Sequence, residues 1–359
     1  MRWAILMLLI VAAAGCATVG QPGVTLPEPH TGNADATVGG YGYAGDFIAP
    51  QSESDAPIWG VRNGIVVGVP PARIGFGRDG GPRGLIRVGF EENGKLYFIN
   101  FLADAPITPG GHIGQSELDH SPSDYAQGIR IFPYPTEFHD HFSYWRDREP
   151  PRLPNVATIR PGGNQAELDL VFRYETFPNG AKPYFSVHLR ADRPHEVAFF
   201  FYHEAGTVEM NRNVLSSTFS NLARDRLLYL RDRIVNAHEL WPAYRGANFA
   251  PIEFYPLAQL RRNREGDVIF AVRPDEERPW DGYPNYPHQH RLTQYWRKPH
   301  GTFDESLHGG VNGRYVYWKS TRPVPGGIAY ENVGLVENFL EGQVQIFGYH
   351  FGEPEELFR

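Results

Sequence analysis

"AELDLVFRYE" (Ala166 to Glu175) alternates with a period of two: Leu168, Leu170 and Phe172 fall on one side, Asp169 and Arg173 on the other. Successive side chains of an extended chain point to opposite faces, so this stretch predicts a half-buried β-strand. The loop "FPNGAKP" (Phe177 to Pro183) comes next. Its Asn179-Gly180 dipeptide, set between two strand patterns, is a hairpin signal because both residues tolerate positive φ. "KPYFSVHLR" (Lys182 to Arg190) and "EVAFFFYH" (Glu196 to His203) then repeat the strand composition.

The same signal extends outward in both directions. "GIVVGV" (Gly64 to Val69), "GLIRVGF" (Gly84 to Phe90) and "KLYFINFL" (Lys95 to Leu102) precede it. "RLLYLRDRIV" (Arg226 to Val235), "DVIFAVRP" (Asp267 to Pro274), "RYVYWKS" (Arg314 to Ser320) and "QVQIFGYHF" (Gln343 to Phe351) follow. Turn clusters such as "EENGK", "RPGGN" and "NREGD" separate them, in keeping with 39 Gly and 31 Pro in 359 residues. Helical periodicity is scarce; "PLAQLRR" (Pro256 to Arg262) predicts one short helix. At least ten strands and no repeat of fixed period indicate an all-β protein. The expected architecture is a large antiparallel β-sandwich, of ordinary or supersandwich size, with long loops and little helix. Apolar residues make up 41% and aromatics 14%, enough for a sizeable core. No second linker interrupts the chain after Ile58, so residues 55–359 are expected to form a single domain. The net charge of −7, with Lys and Arg scattered and no basic stripe, argues against nucleic acid as a partner.

The N-terminus reads "MRWAILMLLIVAAAGC". Arg2 precedes an apolar run that is shorter than the roughly 20 residues a membrane span needs, so residues 1–15 read as a secretory signal. Ala13-Ala14-Gly15-Cys16 resembles the lipobox of bacterial lipoproteins, with Ala where that pattern usually has Leu. Cys16 is the sole cysteine of the chain. It is the expected lipidation site, and no disulfide is available to the mature fold. The lipid anchor makes the membrane a partner and places the protein in the cell envelope. Ala17 rather than Asp follows the cysteine, which resembles the outer-membrane sorting signal of a Gram-negative host. Residues 16–54 are rich in Gly, Pro, Thr and Ala without apolar periodicity and read as a flexible tether.

Two stretches concentrate chemistry. "FHDHFSYWRDREPP" (Phe138 to Pro151) places His139 and His141 before Tyr144, Trp145 and Arg146. "YPHQHRLTQYW" (Tyr286 to Trp296) places His288 and His290 before Tyr295 and Trp296. Three readings stand side by side. Four imidazoles are candidate ligands for one metal ion. The blander reading is of surface-loop histidines hydrogen-bonded to their neighbours, since no third ligand stands at a recognised spacing and the pairs lie far apart in sequence. A third reading is carbohydrate binding, in which aromatic platforms cover the C–H faces of a sugar and the polar groups take its hydroxyls. "FYHEAG" (Phe201 to Gly206) adds His203 and Glu204 at a strand end, an imidazole and a carboxylate suited to acid–base chemistry on such a ligand. A lyase-type alternative uses His141 or Tyr144 as base, with Arg146 and Arg148 neutralising a uronate. No serine elbow, paired-cysteine metal pattern or phosphate loop is present, and no pattern names a cofactor.

"GPRGLIRVGF", "LYLRDRIV", "ELWPAYRG" and "VPGGIAYENVGLVENFLEGQ" together resemble segments of a group of secreted bacterial proteins from polysaccharide-degrading environmental bacteria. That group brings no established catalytic residues. The expected sandwich also resembles the galactose-mutarotase-like sheets of carbohydrate enzymes and polysaccharide lyases. This second likeness implies an architecture and leaves the function to the site.

Overall fold

The computed structural model describes residues 41–69, 85–114, 116, 131–136, 156–219, 225–243, 252–276, 291–312, 329–330 and 332–359. Twenty-two strands among them form two large sheets. Numbered in chain order, the first sheet runs β1 (Tyr43–Ala44), β2 (Phe47–Ile48), β3 (Ile58–Val61), β4 (Ile65–Gly68), β5 (Leu85–Glu92), β6 (Lys95–Thr108), β13 (Arg212–Phe219), β21 (Asn332–Val336), β20 (His308–Val311), β16 (Glu253–Pro256). β7 (His112–Ile113) pairs with β6 beside this path. The second sheet runs β15 (Ile234–Asn236), β14 (Asp225–Tyr229), β18 (Val268–Pro274), β19 (Thr293–Lys298), β22 (Val344–His350), β12 (Glu196–His203), β11 (Pro183–Arg190), β10 (Glu167–Tyr174), β8 (Ile131–Tyr134). β9 (Thr158–Arg160) pairs with β10 and β17 (Arg261–Arg262) with β18. Neighbouring strands are antiparallel, as the short turn-separated runs require.

The alternation of residues 166–175 is realised in β10. Leu168, Leu170 and Phe172 are fully buried in a core shared by both sheets. Trp59 of the first sheet meets Phe172 of the second edge-on, with ring centroids 6.1 Å apart. Phe185 and Phe201 pack the same way at 4.8 Å. Such pairs add about 0.5–1.5 kcal/mol each beyond the area they bury. The hairpin signal is also realised. Gly180 sits at φ 84°, and its N–H donates to the Phe177 carbonyl at 2.8 Å. The outer face of β10 departs from the expected half-exposed strand. Asp169 is fully buried there, so the polar side of the alternation faces other side chains instead of bulk water.

Two local expectations are corrected. The part of the supposed tether from Tyr41 to Ser54 belongs to the domain: β1 and β2 extend the first sheet beyond β3, with Phe47 and Ile48 buried. Two-residue strands are too short to show periodicity, and they persist because the ladder and the core hold them. Tyr41 further donates its hydroxyl to the Gly94 carbonyl at 2.7 Å. At "PLAQLRR" the chain makes a single 3-10 turn, Leu257–Gln259, and then returns to strand as β17. The α-helix described is one turn, α1 (Ala237–Leu240), capped by the Asn236 side chain, which accepts from His238 N–H at 2.9 Å. No helix of the described residues is long and apolar enough to cross a membrane.

Candidate functional site

Register places the candidate site on the outer face of the second sheet. Asp169, His188, Ala198, Ile346 and Arg297 are successive cross-strand partners on β10, β11, β12, β22 and β19. Two residues along each strand, on the same face, lies the row Glu167, Arg190, then Glu196, Gly348 and Tyr295. Two residues the other way lies Val171, Ser186, Phe200 and Val344. These rows enclose a cleft of about 440 Å³. Ala198, Phe200, Val344 and Ile346 make its apolar floor, and Glu167, His188, Arg190, Arg193, Glu196 and Arg297 line its polar walls.

One wall is a buried network of paired side chains. Glu196 accepts from Arg297 Nε at 2.8 Å, from Arg297 Nη2 at 2.5 Å and from the Tyr295 hydroxyl at 2.9 Å. Arg297 Nη1 also donates to Asp267 Oδ2 at 2.7 Å, and Asp267 Oδ1 accepts from His300 N–H at 2.8 Å. Burial opposes the Arg297 charge, but the hydrogen bonds to Glu196 and Asp267 outweigh it and raise the guanidinium pKa. Burial, reinforced by the Glu196 charge, pushes the Tyr295 phenol well above its ordinary value, so the hydroxyl stays a donor. Gly348 makes this possible. A side chain there would collide with the Tyr295 ring, which lies across β22 to reach Glu196. On the opposite wall Asp169 contacts His188 Nδ1, and Arg160 Nη2 approaches Asp169 Oδ2 at 2.5 Å. The His188 ring stands edge-on to Phe200 with centroids 4.7 Å apart.

The residues singled out by sequence divide among several places. His203 ends β12, three residues beyond the floor residue Phe200 and so about 10 Å further along the strand, on the opposite face. It is exposed, its Nδ1 lies 2.8 Å from Glu341 Oε2, and its ring leans on Phe339. Glu204 turns the other way, into a buried bidentate pair with Arg173, whose guanidinium lies 5.9 Å from the Tyr134 ring centroid. Adjacent in sequence, the two do not form the expected acid–base pair. Trp296 is a second correction. Neighbours on a strand face opposite ways, so with Tyr295 outward Trp296 points into the core. It is fully buried, and its Nε1–H donates to the Val333 carbonyl at 2.9 Å across the sandwich. Tyr295 is buried as well and supports the cleft wall instead of offering a stacking platform.

His139, His141, Tyr144, Trp145, Arg146, Arg148, His288, His290 and Cys16 lie outside the described residues. Three of the flanking positions are informative. Thr136 and Thr158, which bracket the first histidine pair, share a hydroxyl hydrogen bond of 2.9 Å, and Thr158 is the ladder partner of Asp169. Arg291, which follows the second pair, leads directly into β19, the strand that carries Arg297. Among the described residues no group of three or more His, Cys, Asp or Glu is arranged to hold a metal ion. Sequence reading missed His188, Asp169, Glu196, Phe200 and Arg297 as a group. The outward parity of Ser186 and His188 in "KPYFSVHLR" was readable, but their neighbours come from four other strands. No family model matches this chain, and no curated protein matches its sequence.

Proposed function

We propose that this is a lipid-anchored protein of the cell envelope whose sandwich domain binds carbohydrate in the cleft on the outer face of the second sheet. The anchoring rests on Cys16, the sole cysteine, placed directly after the apolar N-terminal run. The carbohydrate reading is carried by one observation: an apolar floor of Phe200, Ile346, Val344 and Ala198 enclosed by fixed hydrogen-bonding groups. A pyranose presents the complementary arrangement, with C–H patches on its faces and hydroxyls around its edge. The cleft volume falls in the ~300–1,000 Å³ range of small-ligand sites. Because Glu196 and Arg297 are already locked to each other, they lose little side-chain freedom when a ligand arrives.

A glycan array probed with the purified mature chain, followed by calorimetric titration of each hit, tests this. At least one saccharide class is expected to bind, with affinity falling on Phe200→Ala. An array without hits, or binding indifferent to Phe200→Ala, overturns the reading. In the former case the aromatic loops are left to the rival role of a structural or assembly lipoprotein. Elemental analysis of the same preparation tests the histidine-ligated metal enzyme directly.

A further inference from the structure

One wall of the cleft carries a set of groups that carbohydrate binding alone does not use. Ser186 and His188 are two apart on β11 and therefore share its outer face. Ser186 Oγ lies 3.2 Å from His188 Nε2. On the other side of the ring His188 Nδ1 contacts Oδ1 of Asp169, its ladder partner on β10. In the tautomer with its ring proton on Nδ1, towards the buried Asp169 carboxylate, the Nε2 lone pair accepts from the Ser186 hydroxyl. Arg160 Nη2 lies 2.5 Å from Asp169 Oδ2 and donates to Glu167 Oε2 at 2.7 Å, which puts a positive charge beside the buried carboxylate. A hydroxyl, an imidazole and an orienting carboxylate in this sequence of contacts are the working parts of an activated serine nucleophile. His188 lines the cleft, and Ser186, 6% exposed, lies behind it as the ladder neighbour of the floor residue Phe200.

We infer that Ser186 and His188, with Asp169 as the positioning residue, hydrolyse acyl esters carried on the hydroxyls of a saccharide seated in the cleft; the choice of saccharide rests on the proposed function. Ser186 Oγ attacks the ester carbonyl carbon as its proton passes to His188 Nε2. The bond from that carbon to the sugar oxygen breaks, and His188 returns the proton to the departing hydroxyl. Water, the co-reactant, then attacks the Ser186 acyl ester, giving its proton to His188. The carboxylic acid leaves as Oγ is reprotonated. Nothing is oxidised or reduced. β11 is paired on both sides, so the Ser186 N–H belongs to the ladder and is not a main-chain oxyanion donor. Such a donor contributes about 10²–10³ in rate, and turnover is expected to be modest by that factor.

A fluorophosphonate probe applied to the folded full-length protein tests the inference, with the labelled residue located by mass spectrometry and p-nitrophenyl acetate hydrolysis followed in parallel. Labelling is expected on Ser186 and is lost in Ser186→Ala. His188→Gln is expected to lower it by about 10²-fold or more. Asp169→Asn should lower the maximal labelling rate while the half-saturating probe concentration stays constant, a split that general loosening of the sheet does not give. Thermal melts of each variant establish that it is folded. No label on Ser186 in the folded wild type, or equal labelling in folded His188→Gln, overturns the inference. Glycan titration of Ser186→Ala separates the two proposals. Labelling without any glycan binding leaves the nucleophile standing and removes the saccharide, whereas glycan binding without labelling does the reverse.

Discussion

His188 and His203 stand on neighbouring strands of one sheet, and each has a carboxylate at its Nδ1. The carboxylates differ. Asp169, beside His188, is buried and also held by Arg160. Glu341, beside His203, is 48% exposed, and His203 itself 43%. An exposed pair gains little, because water screens the attraction and two mobile side chains must be ordered to form it. A carboxylate that is itself fixed can orient a ring, and the cleft in front of His188 gives the oriented ring something to act on. A histidine beside an acid is therefore a weak sign of a site until the acid's own partners are known.

The largest effect is expected at the His203 end, from Glu204 and not from the histidine. Glu204→Ala leaves Arg173 without its bidentate partner in a buried position. A loss of about 3–5 kcal/mol in urea unfolding is expected. A loss below ~1 kcal/mol would mean that Arg173 finds other partners and that this end is not structural.

Asp104 sharpens the point about buried acids. It is as buried as Asp169, and the nearby Ala105 N–H and Asn213 side chain do not offset that burial. Burial raises its pKa well above the ordinary 3.8. With the folded pKa raised, its contribution to stability is complete below the unfolded value and lost as pH rises through the folded one. Melting temperature is therefore expected to fall as pH rises from about 4, and Asp104→Asn to flatten that slope. An unchanged slope in the variant assigns the pH dependence to other groups.

Phe200→Ala, at the cleft end, is expected to weaken binding of an array-identified glycan by about tenfold or more, from the loss of apolar and aromatic contact. Tyr295→Phe removes the hydroxyl that Glu196 accepts. It is expected to cost about 0.5–1.5 kcal/mol of stability, since Arg297 still satisfies the carboxylate. His203→Ala should give the smallest change, below about 1 kcal/mol by the same unfolding measurement.

Much of the fold was legible because alternation is a local property. Leu168, Leu170 and Phe172 declare a core face within five residues, and Asn179-Gly180 declares the turn that follows. The two-residue strands at Tyr43 and Phe47 were not legible, since so short a segment carries no period and is held by pairing and by the burial of Phe47 and Ile48. The cleft was hidden for a different reason. Asp169 meets His188 through strand register, and Glu196 meets Tyr295 across β22 through the space left by Gly348; neither relation has a signature in linear spacing. Trp296 misled because composition signals a sugar platform while parity, with Tyr295 outward, sends it into the core. Histidine spacing drew attention to residues outside the described structure, and the histidine with the better-placed partner, His188, stood inside a plain strand.

The proposed binding surface lies on the His188 side of the second sheet. Titration of the wild type, Phe200→Ala and His203→Ala with the same glycan tests that claim most directly. The expected result is a loss of affinity of tenfold or more for Phe200→Ala, with His203→Ala indistinguishable from wild type. Affinity lost in His203→Ala and kept in Phe200→Ala would contradict it, placing the site at the other end of the sheet.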